Sequence, residues 1–414
     1  MLAISVRRLL LSAACLVAVS SAPSGAQVTA HPSSPVPSPV APSTDLARAR
    51  VDSMLRNGHA DSQWFAASFL AQVSAAQVDA IVAQYKTTLG EYRGIEGANG
   101  DYTARFAKGT DEVFVHLDAE NEIDALLFKE PKLQASSLDD ALRALRPAAG
   151  TLSYVIVENR SELAQLDASS PLAVGSAFKL AVLSALRDEI ARGRRRWSDV
   201  VPLQSRWKSL PTGVLQTWPD ATPITLATYA AEMMSVSDNT AADALIRLTG
   251  PAALAPYAMG NVPFLTTREM FQLKSASGAT QRAAYLAART PDQRSAVLRR
   301  IDATALPAIG ALESKPILAI EWHYSVRQLC ELMRRVAGLP VMSINSGVAD
   351  ATSFRRVAFK GGSDAGVLNL TTQVQTKRGT AICFSATLND STKAVAATAF
   401  ELSYAAALSA LANR

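Results

Sequence analysis

Three short segments of the 414-residue chain carry the side chains that acyl transfer needs. In Gly175-Ser176-Ala177-Phe178-Lys179-Leu180, a helical run starts near Ser176 and reaches about residue 190. Residues three apart share a helix face, so the Lys179 amine reaches back to the Ser176 hydroxyl. A serine is a weak nucleophile until a base takes its proton. A lysine serves as that base once burial and neighbouring cations depress its pKa. The helix N-terminus also favours negative charge developing there. The second segment is Ser237-Asp238-Asn239, a polar turn between an apolar helix over 226–234 and a helix over 240–248. There the Ser237 hydroxyl can pass a proton to a leaving group. The Asn239 amide can hold a substrate carbonyl and the lysine ammonium. The third is Lys360-Gly361-Gly362-Ser363, directly after a strand over 355–359. Two glycines on a sheet edge leave room for a substrate backbone, and Lys360 offers a cation for a carboxylate. The Ser363 amide would complete an oxyanion hole with that of Ser176.

Singly, each segment has a plain structural alternative: an N-cap serine with a surface lysine, an ordinary helix cap, a Gly-rich hairpin turn. Taken in order, each in its own context of helix start, inter-helix turn and strand edge, they point to one serine nucleophile site.

The elements that must position these residues form the second part of the chain. Residues 136–414 hold a strand over 152–158, a mostly helical middle that includes 281–309, and three strands over 355–359, 366–374 and 380–388. A terminal helix over 392–411 follows. The pattern predicts an antiparallel sheet flanked by helices. Residues 45–135 read as a separate α+β unit, with helices over 45–57 and 74–89 and strands over 102–106, 112–117 and 123–128. His116 there reads as a structural histidine. Residues 27–44 are rich in proline and serine and predict a linker. Residues 1–26 read as an export signal. Arg7 and Arg8 precede an apolar run over 9–19, with cleavage near Ala26. The expected location is therefore periplasmic or extracellular. The run is too short to span a bilayer, so the mature chain is expected to carry no transmembrane segment.

Composition narrows the classes further. Apolar residues make up 49% and charged residues 19%, as in a globular protein. The net charge of +5 comes without a basic stripe interleaved with aromatics, which argues against nucleic acid. His31, His59, His116 and His323 are scattered, and no Cys or His spacing suggests a metal site. The chemistry above needs no metal or organic cofactor. Cys330 and Cys383 fall in a helical and a strand pattern respectively, and two buried thiols are expected rather than a disulfide.

On its three motifs the stretch 150–414 resembles the class A β-lactamases and penicillin-binding-protein-like serine hydrolases, for which this combination is a recognised mark. The resemblance implies that Ser176 is the nucleophile, Lys179 its base and Ser237 the proton shuttle. Asn239, Lys360, Gly361, Gly362 and Ser363 would bind substrate. Where that family carries Thr or Ser between the lysine and the last glycine, this chain has Gly361. The family's deacylating glutamate has no clear counterpart. Glu269 is the first glutamate after Asn239, and it reads as a helix-capping acid behind Thr266 or Thr267 rather than a base. Loss of a general base typically costs ~10²–10⁴-fold, so acylation without rapid hydrolysis is expected. The two-unit layout, with Phe359-Lys360-Gly361-Gly362-Ser363 and Glu321-Trp322, is also similar to a smaller group that joins an NTF2-like (steroid-isomerase-like) domain to a β-lactamase-fold domain. That group has a member in clavulanic acid gene clusters and lipoprotein relatives in actinobacteria. It implies an NTF2-like first unit and weak esterase or cephalosporin-cleaving activity. The expected partner is a small acyl substrate: a β-lactam, an ester or a cell-wall peptide. A D-Ala-D-Ala peptidase and a non-catalytic ligand-binding relative are the alternatives.

Overall fold

The computed structural model describes residues 45–129, 131–135, 137–147 and 149–414. The expected leader and Pro/Ser-rich linker lie outside the described residues. The chain divides into two compact units between residues 136 and 137.

In the first unit, helix α1 (Leu46–Asn57) starts where the Asp45 side chain accepts from Arg48 N at 3.1 Å. It stops at Gly58, whose φ of 74° an L side chain rarely adopts. Helix α2 (Ala75–Leu89) begins with a Ser74/Gln77 capping box. An antiparallel sheet follows, with β1 (Tyr92–Ala98), β2 (Asp101–Phe106), β3 (Gly109–Leu117) and β4 (Ile123–Phe128) in chain order and β5 (Lys132–Leu133) beside β3. Val51, Met54 and Leu55 of α1 and Val78 and Val82 of α2 share a core with Ile95, Tyr102, Phe106, Val113 and Val115 of the sheet. Strand β1 was not expected from sequence, because Gly94 and Gly97 interrupt its alternation. Gly97 is required there: a Cβ would fall 2.3 Å from Asp101 O.

The second unit carries a five-stranded antiparallel sheet made from both ends of its sequence. Its strands are β6 (Thr151–Glu158), β7 (Ser161–Leu166), β8 (Phe354–Asp364), β9 (Val367–Thr376) and β10 (Ala381–Asn389), in the spatial order β8-β9-β10-β6-β7. Strand β8 is therefore an edge. It continues through Lys360-Gly361-Gly362-Ser363, so these residues lie within the strand rather than after it. Between the two sets of strands come α3 (Lys179–Ala191), α4 (Leu226–Ser235), α5 (Asn239–Ala258), α6 (Thr267–Lys274), α7 (Ala279–Ala287), α8 (Pro291–Asp302) and α9 (Val326–Val336). The last helix, α10 (Ala397–Leu411), starts later than the pattern over 392–411 suggested.

Alternation along β10 assigns the two faces. Phe384 stacks on Tyr404 of α10, with ring centroids 4.1 Å apart. Its neighbour Cys383 points the other way and is disulfide-bonded to Cys330 of α9, with Cα atoms 5.8 Å apart. This corrects the expectation of two free thiols. The partners are 53 residues apart, and no local pattern shows that a helix position will pack over that strand position. Helix α3 is buried along most of its length, from Lys179 through Leu186. A helix apolar nearly all round belongs in the middle of a domain, and its first residue is a site lysine. Among the described residues no helix is long and apolar enough to cross a membrane.

Candidate active site

Ser176 lies in a tight 3-10 turn, Gly175–Phe178, that runs directly into α3. The α-helix proper begins at Lys179 rather than Ser176. The turn is fixed on both sides. Val174 N donates to Trp322 O at 3.0 Å, and Trp322 stacks on Phe178 with centroids 3.7 Å apart. On the other side, β8 presses against it. A Cβ on Gly362 would fall 2.1 Å from Val174 O and 2.4 Å from Ser176 N, and one on Gly175 would fall 2.8 Å from Ser363 N. Only glycines allow this approach. It sets the backbone of Gly175-Ser176 directly against that of Gly362-Ser363. Ser176 is partly exposed and Ser363 is exposed, while Lys179 is fully buried.

Lys179 Nζ stands 3.3 Å from Ser176 Oγ, 3.1 Å from Ser237 Oγ, 2.5 Å from Ser237 O and 2.8 Å from Asn239 Oδ1. The Asn239 amide is oriented by its Nδ2, which donates to Leu210 O at 2.9 Å. Burial, and then the charge of Lys360, holds the Lys179 amine well below the usual lysine range; Asp238 and Asp243 oppose this. A neutral amine has two N–H groups and one lone pair. Ser237 O and Asn239 Oδ1 can only accept, so they take both N–H groups. The lone pair is left for a hydroxyl proton, and Ser176 Oγ is within reach.

Ser237 itself sits at φ 59°, a left-handed conformation that costs a non-glycine residue on the order of 1 kcal/mol or more. Its surroundings impose it. Thr212 Oγ1 donates to Ser237 O at 2.5 Å. The Asp238 carboxylate accepts from Val214 N, Leu215 N and Ala241 N at 2.7, 2.9 and 2.8 Å. Lys360 Nζ donates to Ser237 Oγ at 3.0 Å and to Gly361 O at 2.8 Å. Burial pushes the Lys360 amine down to about 7, so its charge at neutral pH depends on a nearby anion.

Glu269 is placed elsewhere. Its Oε2 accepts from Thr266 N at 2.7 Å in a capping box, and its Oε1 accepts from Arg247 at 3.2 Å. Asp243 is likewise committed to the start of α6, accepting from Thr267 N and Arg268 N at 2.6 and 2.9 Å. One cluster was missed by sequence reasoning. Lys274 at the end of α6 is buried between Glu321 and Asp364, bonding Glu321 Oε1 and, at 2.6 Å, Asp364 Oδ2. It ties the end of β8 to the strand-like segment before α9. No spacing links residues 274, 321 and 364 in sequence.

An edge strand with a Lys-Gly-Gly run, set against a Ser-x-x-Lys turn and a Ser-Asp-Asn turn, is similar, apart from Gly361 in place of Thr or Ser, to the motif set of the β-lactamase-like serine hydrolases. Residues 136–304 match the model of the beta-lactamase enzyme family, a stretch that includes Ser176, Lys179 and Ser237 but ends before Lys360. Among solved structures, the chain is similar to a β-lactamase from Sphaerobacter thermophilus DSM 20745 at 18% identity, over 67% of this chain and 95% of that one, with a TM-score of 0.48. It is similar to PBP-A at 13% identity over 68% and 97%, with a TM-score of 0.46. A β-lactamase from Chitinophaga pinensis DSM 2588 gives 16%, 67%, 98% and 0.46 for the same measures. No curated protein matches the sequence.

Proposed function

We propose that this protein is an exported serine acyl hydrolase that is acylated at Ser176 by β-lactam, ester or amide substrates and releases the acyl group slowly. One observation carries the reading. The Lys179 amine is buried beside the Ser176 hydroxyl, with two fixed acceptors taking its N–H groups. In the proposed sequence its lone pair takes the Ser176 proton as Oγ bonds to the substrate carbonyl carbon. The amides of Ser176 and Ser363 hold the oxyanion. When the carbon–nitrogen or carbon–oxygen bond breaks, Ser237 gives its proton to the leaving atom and regains one from Lys179. Once Lys179 has taken the Ser176 proton it has a third N–H, and this and Lys360 can donate to the two lone pairs of Ser237 Oγ, which leaves its O–H directed to substrate. A substrate carboxylate near Lys360 would hold that amine in its charged form.

Slow release rests on Glu269, whose two oxygens are engaged at the start of α6. The first unit, two helices followed by an antiparallel sheet, supports an NTF2-like assignment for residues 45–135. The Cys330–Cys383 bond supports export to an oxidising compartment.

Intact-mass spectrometry of wild type and Ser176→Ala, followed over time with a penicillin and with an activated ester, tests the proposal. Wild type should gain the acyl mass and keep it for many minutes, while Ser176→Ala gains none. A wild type that forms no adduct and turns over neither substrate would overturn it. Cleavage of a D-Ala-D-Ala peptide without β-lactam turnover would transfer the same site to the peptidase reading.

A further inference from the structure

A second cavity, of about 360 Å³, lies in the same unit and includes none of the residues assigned above to acylation. It is bounded by the loop before α6, by α7 and α8, and by the segment that carries Glu321 and Trp322. Its volume is in the range of small-molecule sites. Arg294 and Glu321 are among its lining residues, and each keeps one side-chain atom shielded from solvent without a hydrogen-bond partner, Arg294 Nε and Glu321 Oε2. A buried donor without an acceptor is costly, which is why native structures rarely keep one unless something else supplies the partner. Arg294 has no carboxylate partner among the described residues. Its guanidinium lies over the Tyr285 ring, 5.5 Å from the centroid. Burial pushes the Glu321 carboxyl up to about 8, against the opposing effect of Lys274. Its other oxygen, Oε1, is bonded to Lys274 Nζ, whose positive charge faces the carboxyl.

The rest of the cavity is apolar. Tyr285 and Trp322 form part of its wall. Met259, Val262 and Leu286 are large hydrophobic side chains left exposed, at 39%, 47% and 46%, and all three line it. Exposed apolar residues that gather at one opening mark a binding surface rather than scattered surface variation. A guanidinium without an anion, set in an apolar pocket with an apolar rim, fits a small monocarboxylate with an apolar body.

We infer that this cavity is a second ligand site, separate from the acyl site, that binds a small apolar monocarboxylate through Arg294. Trp322 links the two sites. It lines the cavity and stacks on Phe178, which lies between Ser176 and Lys179.

Isothermal calorimetry with octanoate, and with octanamide as its uncharged counterpart, tests this on the full mature chain. The proteins are wild type, Ser176→Ala, Arg294→Gln and Leu286→Asp. Octanoate should bind wild type and Ser176→Ala equally, and octanamide much more weakly. Arg294→Gln should weaken octanoate by roughly 10–100-fold, the size expected for one charge-assisted hydrogen bond. Leu286→Asp, at an exposed position, should weaken it without disturbing the fold, as circular dichroism would verify. Absence of octanoate binding to wild type at millimolar concentration overturns the inference. Unchanged affinity in Arg294→Gln also overturns it. Because Ser176→Ala is one arm, failure of the acylation proposal would leave this result readable.

Discussion

Lys179 and Lys360 are two buried lysines that converge on one oxygen, Ser237 Oγ, at 3.1 and 3.0 Å. Like charges this close disfavour each other's protonation, and the positive charge of Lys360 is the second cause, after burial, of the depressed Lys179 pKa. In the proposed mechanism acylation needs the neutral Lys179 amine, so its rate should rise with pH as that amine loses its proton. Lys360→Met removes a neighbouring positive charge. The Lys179 pKa then rises, and the ascending limb of the acylation profile should move to higher pH. Stopped-flow acylation by a fluorescent penicillin from pH 5 to pH 9 measures it. A limb that stays in place would mean that Lys360 does not tune the base.

Glu269 invites the opposite test. If it caps α6 and pairs with Arg247, Glu269→Gln keeps much of the capping geometry but loses the ion pair with a half-exposed arginine, worth about 1 kcal/mol or less. Glu269→Ala loses both and should cost about 1–2 kcal/mol. Neither should change the release of the acyl group by more than a few fold. Chemical denaturation and the decay of the acyl-enzyme mass report the two quantities separately. A fall in release of ~10²–10⁴-fold without loss of stability would make Glu269 the general base.

What could be read from the sequence follows the reach of local physics. Ser176 and Lys179 are one helical turn apart, so their pairing follows from spacing alone. The Thr266–Glu269 box is local too, and its geometry is as the spacing implied. The meeting of residues 179, 237 and 360 was legible only because the three motifs form a recognised combination. No rule of periodicity brings an edge strand to a turn more than a hundred residues away. Strand β1 was hidden by its glycines. The Lys274–Glu321–Asp364 cluster was invisible because three ordinary charged residues, dispersed along the chain, carry no signature until burial forces them together.

The Cys330–Cys383 bond joins α9 to the middle of the sheet. Closing a loop of this length typically stabilises a protein by ~2–4 kcal/mol. Reduction, or Cys383→Ala, should lower the unfolding midpoint accordingly. Well below that midpoint, Ser176 should still acylate, because the hydrogen bonds that hold Lys179, Ser237 and Lys360 together do not involve either cysteine. Thiol titration should find Cys330 and Cys383 unreactive before reduction. Two free thiols in protein purified from an oxidising compartment would contradict the bond.

Asp111 gives a pH test confined to the first unit. It lies on β3 at 1% exposure. Burial, opposed mainly by Tyr85, pushes its carboxyl up to about 7. A carboxyl whose folded pKa exceeds its unfolded value contributes stability that is complete below about 4 and lost as pH rises through about 7. The rise from 3.8 to about 7 corresponds to roughly 4 kcal/mol. Asp111→Asn removes the ionisable group and with it this slope. In urea titrations of the full chain, following the transition of the first unit, the variant should gain on wild type between pH 5 and pH 8. A constant difference across that range would show that Asp111 ionises in the folded protein as readily as in the unfolded one.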